Sequence, residues 1–143
     1  MLDSEATEPD TGADEDGTPR ILVAEDNDLN QKLFRMILEP AGYRVRIVDN
    51  GRQAVEAVQE AGVDKPFDVV LMDLQMPEMD GIEATRRIRE THDADTLPIV
   101  AVTAFLRDVG RAQCMESGVN DYLEKPFRRE DLEEVLGKFL KVG

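Results

Sequence analysis

One cysteine, Cys114, in 143 residues excludes an intrachain disulfide. No run approaches the roughly 18 consecutive apolar residues that a membrane-spanning helix needs. The first twenty residues have no basic start followed by an apolar stretch, so no secretory signal is evident. Together these absences point to a reducing cytoplasm. Basic residues are also scarce: 17 Lys and Arg face 31 Asp and Glu, for a net charge of −14. That balance argues against nonspecific nucleic-acid binding, which depends on cations neutralising phosphates. What remains, 41% hydrophobic and 34% charged, is the composition of a single soluble domain.

The acidity is concentrated at the start. Residues 1–19 hold seven acids (Asp3, Glu5, Glu8, Asp10, Asp14, Glu15, Asp16), no Lys or Arg, and Pro9, Gly12, Gly17 and Pro19. Such a segment buries too little apolar surface to offset its ordering entropy and reads as a disordered acidic leader or linker. The folded domain is expected over 20–143.

From there the chain alternates. Ile21–Ala24, Arg44–Asp49, Phe67–Met72, Pro98–Val102 and Asp121–Glu124 read as strands. Between them Leu29, Leu33, Met36 and Ile37 recur at helical spacing, Val55 and Val58 mark a helix ending near Gly62, and Ile82–Glu90 forms a third. Residues 106–117 give a weaker helix, interrupted by Gly110, and Leu132, Val135, Leu136, Phe139 and Leu140 share one face of a last one. Five strand–helix units predict an α/β fold, a doubly wound parallel sheet. The first, third and fourth strands are nearly continuous apolar runs, as expected of strands buried on both faces. Arg44 and Arg46 in the second, and the acids around Tyr122 and Leu123 in the fifth, mark edges. Right-handed crossovers then favour the order 2-1-3-4-5.

In this order one group of polar residues falls at the carboxyl ends of the strands, where open parallel sheets bind ligands. Glu25 and Asp26 follow the first strand, Asp73 the third, Thr103 ends the fourth, and Lys125 follows the fifth. Three carboxylates in one crevice repel by about 4 kcal/mol per pair at 4 Å and an effective dielectric near 20, which a divalent cation relieves. A small all-oxygen ligand set suits Mg²⁺. Asp26 and Asp73 are the candidate direct ligands, with Glu25 acting through water. Asp73 then has an oxygen left to attack phosphorus in line, and Lys125 and Thr103 are placed to stabilise the phosphoryl oxygens. Each residue alone has a plainer role. Asp26, Asn27 or Asp28 can cap a helix, Asp73 can hold a loop, Thr103 is an ordinary strand residue, and Lys125 an ordinary surface lysine. The coincidence of all five on one side of the sheet favours the chemical reading.

The segments ILVAEDN, LMDLQMPEMDG, PIVAVTA and YLEKPF resemble the signature segments of receiver domains in two-component response regulators, over about residues 20–142. The resemblance implies a flavodoxin-like fold with Asp73 as phosphoacceptor and Glu25 and Asp26 as the acid pair holding Mg²⁺. It implies the Gln75 carbonyl as a further metal ligand, Thr103 and Lys125 on the phosphoryl group, and a cis Lys125–Pro126 peptide. It also implies a switch in which Thr103 moves inward and Tyr122 rotates, changing the helix 4–strand 5–helix 5 face that meets a downstream protein. Gln75 and Phe105 stand where the family tunes phosphoryl lifetime. Leu29 and Asn30 lie on the helix that meets the phosphodonor, unless Leu29 packs in the core. Tyr122 has a plain alternative too, as an edge-strand aromatic. His92 receives no role. Cys114 and the methionines Met72, Met76, Met79 and Met115 read as packing residues.

The expected activity is that of a signalling phosphoacceptor that catalyses its own phosphorylation and slow dephosphorylation, fed by a histidine kinase or a histidine phosphotransfer protein. The chain reads either as a stand-alone regulator or as a receiver from a hybrid histidine kinase; EDNDLN and the acidic leader favour the hybrid. Two other classes compete: a Mg²⁺-dependent phosphohydrolase, for which no second general acid is evident, and a phosphorylation-independent binding module, against which the intact residue set argues.

Overall fold

The computed structural model describes residues 18–62, 66–74, 79–104 and 111–140. Most of the expected leader therefore lies outside the described residues, as do Gln75, Met76, Phe105 and Gly110 and the side chain of Cys114. The elements run β1 (Arg20–Ala24), α1 (Asp28–Leu38), β2 (Arg44–Val48), α2 (Gly51–Ala61), β3 (Val69–Asp73), α3 (Gly81–Arg89), β4 (Ile99–Thr103), α4 (Arg111–Glu116), β5 (Asp121–Glu124) and α5 (Arg129–Gly137). All four strand pairings are parallel, in the order β2-β1-β3-β4-β5.

Strand alternation divides the core. Leu22, Ala24, Val70, Met72, Ile99 and Ala101 face one layer, filled by Ala54, Ala57 and Val58 of α2 and Ala84 and Ile88 of α3. Ile21, Val23, Val69, Leu71, Val100 and Val102 face the other, filled by Phe34, Ile37 and Leu38 of α1 and Leu132, Val135 and Leu136 of α5. The central strands are apolar on both faces because both faces are covered.

Four local details differ from the pattern read in the sequence. β3 starts at Val69, because Phe67 leaves the sheet to pack into the core under the Arg20 guanidinium, 4.5 Å from its ring centre. At the other end, pairing with Val102 makes Asp73 the last residue of β3, so it does not follow the strand. On α1 the buried residues are Phe34, Ile37 and Leu38, whereas Leu29, Leu33 and Met36 are exposed on a second apolar stripe. Met115 is exposed as well, while Met72 is buried and Met79 packs against the core.

Candidate functional site

The sheet's hydrogen-bond ladder runs one residue past three of its strands. Glu25 N–H donates to the Val48 carbonyl at 3.0 Å, Leu74 N–H to Val102 at 3.1 Å, and Lys125 N–H to Thr103 at 2.8 Å. The amides of Glu25, Leu74 and Lys125 are thus held by the sheet's own ladder. Glu25, Asp26 and Asp73 each present a carboxylate oxygen within 4.8 Å of the others. Glu25 and Asp73 are buried, at 1% and 5% exposure, and Asp26 is open to solvent. Asn27, not Asp26, caps α1: its side chain accepts the Asn30 N–H at 3.0 Å. The Asp26 carboxylate is therefore not engaged in the capping role the sequence allowed it.

Lys125 reaches into this cluster from the end of β5. Its Nζ donates to Glu25 Oε1 at 3.0 Å and to Asp73 Oδ2 at 3.2 Å. Burial opposes the ammonium charge, but the Asp73 and Glu25 carboxylates outweigh it and hold the group above the ordinary lysine range. The Lys125–Pro126 peptide is cis. Phe127 next to it packs against Phe34 of α1 in a tilted ring pair, with centres 5.3 Å apart, which ties the lysine-bearing segment to the first helix. Glu25 Oε2 accepts the Asn27 N–H at 3.1 Å and the Asn30 side-chain amide at 3.4 Å.

The donor set fits a small divalent cation. It is all oxygen, and one ammonium offsets three carboxylates, leaving about two negative charges in a largely buried cluster that a divalent ion balances. Thr103 is fully buried at the end of β4, and Tyr122 is half-buried on the layer beneath α2 and α3. Among the sequence-selected residues, Glu25, Asp26, Asp73 and Lys125 are brought into one cluster, with Thr103 on the strand between those of Asp73 and Lys125. Gln75 lies outside the described residues. His92 is remote: its Nδ1 pairs with the Thr91 hydroxyl at 2.9 Å, and it borders a cavity of about 460 Å³ at the amino ends of β3 and β4. Gln31 was not singled out by the sequence; its side-chain amide bonds the Glu25 carbonyl at 2.6 Å. The only signal for it is its place in the largely polar segment Asn27–Gln31, broken by Leu29, behind the acid pair.

The family described as "Response regulator receiver domain" matches residues 21–137. The chain is 40% identical over 124 residues to the sensor histidine kinase GacS of Pseudomonas protegens, covering 85% of this chain and 13% of that protein. It therefore spans a small part of that relative's length. It is similar, at 38% identity and a TM-score of 0.76, to the receiver domain of the sensor histidine kinase PA1611 from Pseudomonas aeruginosa, covering 85% of this chain and 97% of the other. That crystal structure holds a magnesium ion coordinated in the active-site cleft. A third likeness, at 28% identity and a TM-score of 0.75, is to the Saccharomyces cerevisiae complex of the histidine phosphotransfer protein Ypd1 with the receiver domain of Ssk1, covering 85% of this chain and 88% of that one.

Proposed function

The chain belongs to the response regulator receiver domain family, and from that premise we propose that it accepts a phosphoryl group from phosphohistidine on Asp73. The observation that carries the reading is the pairing of Lys125 with both buried carboxylates inside the three-acid cluster. An Asp73 oxygen forms the new bond to phosphorus while the bond from phosphorus to the donor imidazole breaks. The electron pair stays on the imidazole nitrogen, which later takes a proton from solvent. Lys125, already bonded to Asp73, follows the developing charge onto the phosphoryl oxygens, and the Thr103 hydroxyl donates to another.

Glu25, Asp26 and Asp73 would hold Mg²⁺, with the Gln75 carbonyl as the further ligand implied by the family resemblance. When bound, the ion supplies compact positive charge against the cluster and the phosphoryl oxygens. Under this reading the chain promotes its own phosphorylation, and the slow loss of phosphate, without turning over an external substrate.

The donor is a histidine phosphotransfer protein or a histidine kinase. An apolar stripe supports its docking site. Leu29 and Met36 are 74% and 68% exposed, and with Leu33 they run along α1 from the turn that touches Glu25. Leu33, Met36 and Phe127 border a groove of about 510 Å³ between α1 and the start of α5. A donor helix seated there brings its phosphohistidine to the acid cluster. Phosphorylation then draws Thr103 inward and lets Tyr122 turn, altering the α4–β5–α5 face for a downstream protein. Among the described residues no helix is long and apolar enough to cross a membrane, and the single cysteine supports a cytoplasmic site of action.

Transfer from a phosphohistidine-bearing donor domain, labelled in its phosphoryl group, tests the proposal. Label is expected on the wild-type chain and absent from Asp73→Asn. Equal labelling of the two overturns it.

A further inference from the structure

Glu25 is bonded through every polar group it has. Its N–H donates to Val48, Oε1 accepts from Lys125, and Oε2 accepts from Asn27 and more loosely from Asn30. The remaining group is its carbonyl oxygen, to which Gln31 Nε2 donates at 2.6 Å. The same nitrogen donates to Asp49 Oδ1 at 2.9 Å, and the Asp49 N–H donates to Gln53 Oε1 at 2.8 Å. Both partners of the Gln31 nitrogen are acceptors. Chemistry thus fixes the amide orientation, since the amide oxygen in that position would face two oxygens.

We propose that Gln31 is a positioning residue for the metal-binding acids. It bridges the Glu25 carbonyl to Asp49 and so holds the turn between β1 and α1 in the cation-binding shape. The carbonyl of Glu25 lies in the rigid peptide plane that leads into Asp26. Anchoring that oxygen stops rotation about the bond between the Glu25 Cα and its carbonyl carbon, the rotation that swings Asp26 relative to Glu25 and Asp73. Asp26 has most need of this anchor, because its own side chain is open to solvent. Mg²⁺ demands near-octahedral geometry, so an acid pair held at its spacing beforehand binds more tightly than one that must be ordered. Gln31 also ties the Glu25 backbone to the carboxylate of Asp49, the residue that follows β2.

The inference rests on reading the cluster as a Mg²⁺ centre. A Mg²⁺ titration of the unphosphorylated chain, followed by backbone amide chemical shifts of residues 24–27, tests it on wild type, Gln31→Met and Asn120→Ser. Methionine keeps the length of glutamine and removes the donor. Asn120 bonds the backbone of Ile99 and Ala94 at the other end of the sheet, so its substitution reports a general loss of stability. Gln31→Met is expected to bind Mg²⁺ about three- to tenfold more weakly, the equivalent of one net hydrogen bond. Asn120→Ser is expected to melt at lower temperature than Gln31→Met yet keep wild-type Mg²⁺ affinity. Equal affinity of Gln31→Met and wild type overturns the inference alone, as does an equal weakening in Asn120→Ser. Failure of the wild-type chain to bind Mg²⁺ overturns the metal reading together with it.

Discussion

Lys125 Nζ and Asp73 Oδ2 stand 3.2 Å apart although 52 residues separate them in the chain. The same ammonium bonds Glu25, so one lysine compensates two buried carboxylates. Lys125→Met leaves them facing each other, and the expected cost is about 1–3 kcal/mol of stability in EDTA. Divalent ions should then stabilise the variant more than they stabilise wild type, because the cluster carries one more uncompensated charge. Thermal melts with and without Mg²⁺ check both effects. A variant as stable as wild type in EDTA contradicts the compensation argument.

Gly81 begins α3 where that helix crosses the end of β3. A Cβ at this position meets the Asp73 carbonyl oxygen at 2.3 Å and Leu74 Cα at 2.8 Å, both backbone atoms that cannot swing aside. Gly81→Ala is therefore expected to destabilise by about 1–3 kcal/mol and to slow phosphorylation by displacing the backbone of Asp73. Denaturant melts and phosphorylation time courses measure the two losses.

The docking role proposed for the exposed stripe on α1 is separable from the chemistry by mutation. Leu29→Ala and Met36→Ala remove side chains that contribute little to the core, so stability should stay within about 0.5 kcal/mol of wild type. Phosphorylation by a small-molecule donor should be unchanged. Transfer from a protein donor should need about tenfold more donor if these are anchor residues of the interface. The two rates, measured side by side, distinguish a docking face from an idle one.

Asp93 gives a pH dependence remote from the site. Its carboxylate accepts the Thr96 hydroxyl and the Thr96 N–H at 2.9 Å, and these bonds hold it below the usual carboxylate range. A group whose folded value is depressed stabilises above its unfolded value, about 3.9 for aspartate, and loses that contribution as pH falls through the folded value. Asp93→Asn should melt below wild type at pH 7, and the gap should close in acid. A gap that stays constant down to pH 2 contradicts the account.

Much of the architecture was legible in side-chain texture. Continuous apolar runs marked β1, β3 and β4 as central, and the charged β2 and β5 as edges, because a strand buried on both faces has no place for polar side chains. The site was legible for a related reason: Glu25, Asp26, Asp73, Thr103 and Lys125 stand at strand ends, and parallel pairing gathers those ends on one side. Helical spacing was a weaker guide. It located α1 from Leu29, Leu33, Met36 and Ile37, but spacing defines a face without saying which face meets the sheet, and Phe34, Ile37 and Leu38 do. Polar contacts across long separations left no trace in the pattern. Gln31 with Asp49, and Arg89 with the Gly118 carbonyl and Asn120, become partners only once the strands are aligned.

The acceptor chemistry of Asp73 is tested most directly by intact mass. After incubation with acetyl phosphate and Mg²⁺, wild type is expected to gain about 80 Da, the mass of one phosphoryl group. EDTA, or the substitution Asp73→Asn, is expected to abolish the gain. An undiminished gain in Asp73→Asn, or no gain in wild type with Mg²⁺ present, contradicts the account.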